Sequence, residues 1–215
     1  FGLLSVLCWS SSYGFTKIAL GSLAPLSLGS IRYVIAAIIL CIVGSIKHIG
    51  LPDKKDIPGF AIAGFVGFGL YMVTYNVGSS INSASVTSSV ACISPITTAV
   101  LAAIFFKEKQ TALCWATVVM EFAGIIILNF NGGFKLNIGV LLIVLSSVFF
   151  SCYNLLLRKY SGKYSSLQIT TYSLTAGAIF LLLLMPKAIP DISSAPLDAV
   201  FATVFISIFP SALAY

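Results

Sequence analysis

Charge is what this chain has least of. Lys, Arg, Asp and Glu make up 8% of its 215 residues, against about a quarter in ordinary soluble domains. That scarcity excludes a solvated globular surface. Histidine occurs once, at His48 in a charged loop, so imidazole-based metal binding or proton transfer has little to work with. Asp53, Asp56, Asp191 and Asp198 fall in loops or at segment ends, and HExxH, GxSxG and paired apolar-face aspartates are all missing. An enzyme is therefore not expected, nor a cofactor, nor a metal. Cys8, Cys41, Cys92, Cys114 and Cys152 lie in apolar stretches without CxxC spacing. They read as small packing residues, and no disulfide is expected. There is no initiator methionine, which reads as a chain cut from a longer one, and no signal peptide can be argued.

Apolar residues are abundant: 59% of the chain, with a mean hydropathy of +1.06. This is the composition of an all-α integral membrane protein. Eight apolar segments are read from the sequence. They cover 1 to about 20, 26–45, 57–77, 86–106, 112–130, 138–157, 167–185, and 197 onward, still running at Tyr215. Runs of this length are helices, since barrel strands are about half as long. Pro186 and Pro190 are expected to stop the seventh. The net charge of +6 does not read as nucleic-acid binding, because the basic residues cluster in hairpins. Lys47, Lys54, Lys55, Lys107, Lys109, Arg158, Lys159 and Lys163 fall on one side, and only Lys135 and Lys187 on the other. The positive-inside rule makes the first side cytoplasmic and places the N-terminus there, in a multi-pass cell-membrane protein.

The stretch from Asn82 to Lys109 is the most individual. It opens with small polar residues, turns apolar, and carries Pro95 at its middle. Proline removes a backbone donor and clashes one turn back, so a kink is expected there. Ser94, Thr97 and Thr98 stand beside it to satisfy a freed carbonyl. A displacement of 140 residues puts Tyr13 on Tyr153, Ser11 on Ser151 and Tyr75 on Tyr215. Five segments separate the copies, and an odd number inverts the second in the membrane, as in many transporters.

The segment with Ser83-Ala84-Ser85, Pro95 and Glu108 resembles the EamA family of the drug/metabolite transporter superfamily. So do Trp9 with Phe15-Thr16-Lys17, then Pro25-Leu26 and Arg32-Tyr33, and Ala212-Leu213-Ala214-Tyr215. The resemblance implies a ten-helix inverted-repeat transporter (5+5), here truncated within the eighth helix. Residues 1–130 would be the first five-helix repeat, and 138–215 three helices of the second. It also implies movement of small metabolites, often outward, through a central cavity. Leu157 falls where Lys17 would be under the displacement, and Tyr172 where Arg32 would be, so the halves are not chemically equivalent.

Ionisable groups inside apolar segments are costly, about 2.5–3.5 kcal/mol at mid-bilayer, and each needs a reason. Lys17 either snorkels or meets substrate. Arg32 reads as a structural group bonded to loop carbonyls, or as a substrate contact. Glu121 lies too deep to reach water, and is protonated, paired or cavity-facing. Polar stripes add Ser5, Trp9, Ser12 and Thr16 on the first segment, Ser85, Ser88 and Cys92 on the fourth, and Ser147, Ser151 and Asn154 on the sixth. Such stripes serve packing or line a cavity; Trp9 is too large for close packing, and Asn154 needs a polar partner. Tyr71, Tyr75 and Asn76 sit near the outer end of the third, as cavity wall or interfacial belt. The expected substrate cavity is thus Trp9, Ser12, Thr16, Lys17, Tyr71, Tyr75, Asn76, Ser88, Pro95, Glu121, Ser151 and Asn154. The expected partners are an amphoteric or anionic small molecule, such as an amino acid, and the lipid bilayer; oligomerisation is left open. A sugar-phosphate or nucleotide-sugar carrier, and a non-transporting scaffold subunit, are the alternatives.

Overall fold

In hydrocarbon every backbone N–H and C=O needs a partner within the protein, so apolar runs of about 20 residues fold as helices. The computed structural model describes residues 2–107, 111–130 and 137–213. Among them the chain forms α1 (Gly2–Leu20), α2 (Pro25–Ile46), α3 (Ile57–Ile81), α4 (Ala84–Phe106) and α5 (Ala112–Phe130). It continues with α6 (Ile138–Arg158), α7 (Ser166–Ser193) and α8 (Leu197–Ile208). Five of these, α2, α3, α4, α6 and α7, are long and apolar enough to cross a membrane. The protein is an all-helical multi-pass membrane protein.

Local sequence sets the ends. Pro25 occupies the first turn of α2, where its missing N–H costs nothing. Ser83 accepts from Val86 N at the start of α4, and Asn137 from Val140 N at the start of α6. Ser165 and Gln168 form a reciprocal capping box on α7.

Two features depart from the sequence expectation. The interruption of α4 is a break rather than a kink at Pro95. Helix runs through Ala84–Ala91, turns at Cys92 and Ile93, and resumes at Ser94–Phe106 with Pro95 in the new first turn. The proline thereby meets no helical donor requirement. Nor do the prolines end α7 where expected. After Leu181 a 3-10 turn, Leu182–Leu184, leads into a further helical piece, Met185–Ser193, with Pro186 in its first turn and Pro190 inside.

The helices pack through small residues. α3 lies against both α6 and α7. At Gly64 an added Cβ would lie 2.3 Å from Ser173 O and 2.6 Å from Gly177 N; one at Gly177 would lie 2.7 Å from Gly64 O. One at Gly78 would lie 2.7 Å from Gly139 O. Backbones therefore touch at both crossings, which only glycine permits. Between them α3 widens into a π-helical stretch, Phe65–Leu70. α8 likewise runs on into a wide turn at Phe209–Leu213. α1 packs on α8, and α2 on α7 and α8.

On the basic side the α2–α3 loop is tied to the α6–α7 loop. Lys163 Nζ bridges Asp53 and Asp56 at 2.5 Å each. Tyr164 Oη donates to Asp56 Oδ2 at 2.7 Å, and Gln168 Nε2 donates to Ile49 O at 2.8 Å. Beneath them the Phe60 ring stacks on Tyr160, with centroids 4.5 Å apart.

Candidate functional site

The break in α4 fixes the position of the candidate site. Around it α1, α2, α3, α4 and α6, with the wide turn after α8, enclose a cavity of about 320 Å³. Its wall carries Trp9, Ser12 and Tyr13 from α1, Arg32 and Tyr33 from α2, and Tyr71 and Tyr75 from α3. Ala91, Ser94 and Pro95 of α4, Ser146, Ser147 and Phe150 of α6, and Pro210 complete it. A second space of about 870 Å³ continues toward the basic side, past Thr98, Tyr153, Asn154, Arg158 and Thr170. Trp9, Ser94, Pro95 and Phe150 border both spaces and form the neck between them.

The wall is aromatic, with one fixed charge. Tyr71 and Tyr75 stack with centroids 5.5 Å apart, Tyr13 stands 6.5 Å from Tyr75, and Phe150 stands 5.3 Å from Tyr71. Arg32 Nε donates to Ser211 Oγ at 2.6 Å, and its guanidinium lies 5.2 Å from the centre of the Tyr33 ring. Ser211 Oγ in turn donates to Ile206 O at 2.8 Å. The hydroxyl's only proton is thereby directed to the backbone, leaving its lone pairs for arginine. A guanidinium so held, beside phenols and serine hydroxyls, can recognise a carboxylate or another compact anion.

Comparison with known proteins decides what kind of site this is. Residues 1–130 and 137–215 match the EamA-like transporter family. The chain belongs to that family. Among its EamA relatives, the uncharacterized transporter YdfC of Bacillus subtilis is 27% identical, covering 99% of this chain and 70% of its own length. A protein of Streptantibioticus cattleyicolor named "probable terminal-alkyne amino-acid exporter" is 25% identical, covering 99% of this chain and 72% of its own length. One solved crystal structure superposes with a TM-score of 0.72 over 99% of this chain and 74% of that one, at 19% identity, which speaks for the fold. The chain is a membrane transporter of the EamA family.

Within this EamA site the sequence-predicted residues fall into three groups. Trp9, Ser12, Tyr71, Tyr75 and Pro95 border the cavity, and Asn154 borders the second space. The second group is engaged between helices or within one. Lys17 Nζ donates to Ser79 O, Ser80 O and Asn82 O at 3.1, 3.1 and 2.7 Å, placing a cation on the negative end of α3. Asn76 is buried and donates to Pro25 O at 3.0 Å. Ser88 Oγ donates to Ser85 O within α4. Ser151 is fully buried; it shares hydrogen bonds with Thr97 and Thr98 at 2.6 and 2.8 Å, and joins α6 to α4. Thr97 Oγ1, Thr98 Oγ1 and Ser151 Oγ all lie within hydrogen-bond reach of Ser94 O, and their three protons are shared between that carbonyl and the bonds among the hydroxyls. Of the hydroxyls expected beside the proline, Thr97 and Thr98 turn to Ser94 O, not to the carbonyl of Ala91 one turn back from Pro95. Thr16 is buried with no polar partner among the described residues. The third group lies outside the described residues: the side chains of Ser5 and Glu121, and Glu108, Lys109 and Tyr215 entirely.

Tyr13, Tyr33, Ser94 and Ser146 border the cavity without a sequence expectation that they would, Ser147 stands there from a stripe open to packing or lining, and Arg32 stands there from a position open to a structural role or a substrate contact. A signal existed for two of them. Tyr13 follows Ser12 directly, and Tyr33 follows Arg32, so each is about 100° around its helix from a residue already singled out.

Proposed function

We propose that this chain carries a small zwitterionic or anionic metabolite of the amino-acid class, outward, by alternating access. The observation that carries the reading is Arg32, held by Ser211 in an aromatic cavity and facing the break in α4. The arginine suits a carboxylate, the tyrosines and Trp9 suit an apolar or ammonium-bearing body, and Ser146 and Ser147 offer adjustable hydroxyls. One relative's name, an amino-acid exporter, fits the same class. A phosphate-bearing substrate would call for more than one cation at the cavity wall, and Arg158 stands farther along at a helix end.

The alternating-access part rests on a two-repeat reading, 1–130 and 138–215. Several features support it. The family matches the chain in two pieces. α1 packs on α8 as α6 packs on α3, and α2 packs on α8 as α7 packs on α3. The third helix of each piece carries a wide turn. Tyr13 and Tyr153, paired by the 140-residue displacement, border the two connected spaces. The basic loops make their side cytoplasmic, with the N-terminus on that side, in the cell membrane.

The test is counterflow in proteoliposomes, with labelled amino acids, their decarboxylated amines and sugar phosphates as competitors. Saturable amino-acid flux, lost in Arg32→Gln and insensitive to the amines, is expected. Equal flux of the amines would sink the carboxylate assignment. Competition by sugar phosphates alone would favour the phosphate reading, and no substrate-dependent flux would favour a scaffold.

A further inference from the structure

A further groove shares no lining residue with the central cavity or with the space beyond its neck. It lies between α2 and α7 and has two joined compartments, about 570 and 590 Å³, that share Cys41, Ser45, Thr175 and Ile179. Its rim is set by Ile38, Ile42, Ile46 and Leu182, all exposed, as expected for a surface that faces hydrocarbon. It follows α2 from Val34 to Ile46. Those 12 steps span about 18 Å, slightly more than the ~15 Å hydrocarbon depth of one leaflet. At the basic end the groove reaches His48, Gly50, Leu51 and Pro52.

Two independent features point to an occupant. The first is charge. Lys47, Lys54 and Lys55 flank the basic end and are exposed. The acids of the same loop, Asp53 and Asp56, share the single positive charge of Lys163, so one negative charge is left against these three lysines and the basic end stays net positive. The second is Thr171. It borders the groove, is 5% exposed, and its Oγ1 has no hydrogen-bond partner among the described residues. A threonine in a helix can usually donate to a carbonyl one turn back, and an orphaned buried hydroxyl costs about 1–3 kcal/mol in general. Thr171 is five residues into α7, about 7 Å below its basic-side end. That is where the ester carbonyls of a phospholipid sit when its phosphate is level with the loop.

We propose that the α2–α7 groove is a binding site for an anionic phospholipid. One acyl chain lies along α2 and α7, a turn about the Thr171 Cα–Cβ bond brings its shielded hydroxyl round to donate to an ester carbonyl, and the headgroup meets Lys47, Lys54 and Lys55. Basic pockets between helices on the cytoplasmic side hold acidic headgroups on this same physical ground.

The experiment takes the protein, extracted from membranes in mild detergent, and measures bound lipid by native mass spectrometry. The probes are phosphatidylglycerol and phosphatidylcholine with identical palmitoyl and oleoyl chains. The wild type should retain phosphatidylglycerol at least about tenfold more tightly. The combined Lys47→Gln, Lys54→Gln and Lys55→Gln variant should erase that preference and leave phosphatidylcholine binding unchanged. Cys41→Trp fills the groove from an exposed position and should lower retention of both lipids. Ile38→Trp is a second such variant, and the melting temperature of each shows that it has folded. Thr171→Val should weaken both lipids several-fold without lowering the melting temperature. Equal retention of the two lipids by the wild type, or unchanged retention in both tryptophan variants, would overturn the site. So would an oxidative Cys41–Cys41 cross-link between copies in native membranes, which would make a second copy the occupant.

Discussion

Arg32 and Ser211 are 179 residues apart in sequence and joined by a 2.6 Å hydrogen bond. The bond connects α2 to the wide turn after α8, and it aims the charge of the central cavity. If Arg32 binds the substrate's carboxylate, Arg32→Lys should not rescue, because a point charge cannot reproduce the planar fork. Flux should fall about 10- to 100-fold in both Arg32→Lys and Arg32→Gln, as for loss of a charged hydrogen bond. Ser211→Ala should leave the charge in place but badly aimed, raising KM more than it lowers kcat. Initial-rate counterflow separates these outcomes.

Lys17 spends its ammonium on three carbonyls at the end of α3. Lys17→Met keeps the apolar stem and removes those bonds. The variant should lose about 1.5–3 kcal/mol of stability, with KM for substrate unchanged in the protein that folds. A KM shift without a fall in melting temperature would return Lys17 to the substrate path.

Gly64 and Gly14 make an opposed pair. Gly64 faces the backbone of α7, whereas an added Cβ at Gly14 meets nothing within 4 Å. Gly64→Val should destabilise by at least about 1–3 kcal/mol. Gly14→Ala should be neutral or stabilise by up to about 1 kcal/mol, because a helical glycine is replaced without a clash. Thermal unfolding of the two variants in the same detergent makes the comparison.

The loop tie at Lys163 should respond to acid. Hydrogen bonds from Lys163 and Tyr164 hold the Asp56 carboxyl below its ordinary value of 3.8. In the unfolded chain that value returns to normal. The tie therefore adds stability above the unfolded value, and loses it as pH falls through the lower folded one. Lys163 is raised above its ordinary 10.5 by Asp53 and Asp56, so its share persists at neutral pH and is lost only in strong base. The Lys163 side chain is half exposed and Asp56 lies at the loop surface partly covered, so the effect is small and salt-screened. Wild type should melt above Asp56→Asn at about pH 7, and the gap should close near pH 2. A gap independent of pH would assign the effect to packing.

Much of the fold was legible in the sequence because apolar length and loop charge are one-dimensional signals. All eight segments are present, with most ends within a few residues. What failed depended on neighbours. Pro186 and Pro190 look like stops, yet a 3-10 turn resets the helix so that Pro186 enters at a first turn. The cavity was half legible for a related reason. A polar stripe against another helix and one against a cavity have the same period. Ser151 belongs to the first kind and Ser12 to the second, and only the position of α4 tells them apart. Arg32 is open between a structural role and a substrate contact in the sequence because nothing in its own segment reveals Ser211.

The two glycine crossings of α3 have a mechanical meaning. Gly64 and Gly78 are 14 residues apart, about 21 Å along the rod, and each is in backbone contact with a different neighbour. A rod pinned at one point can pivot; one pinned at two, to separate supports, makes a truss. α3, α6 and α7 must then travel as a single rigid piece. Any rearrangement that opens the neck at Trp9 and Phe150 falls to α1, α8 and the divided α4.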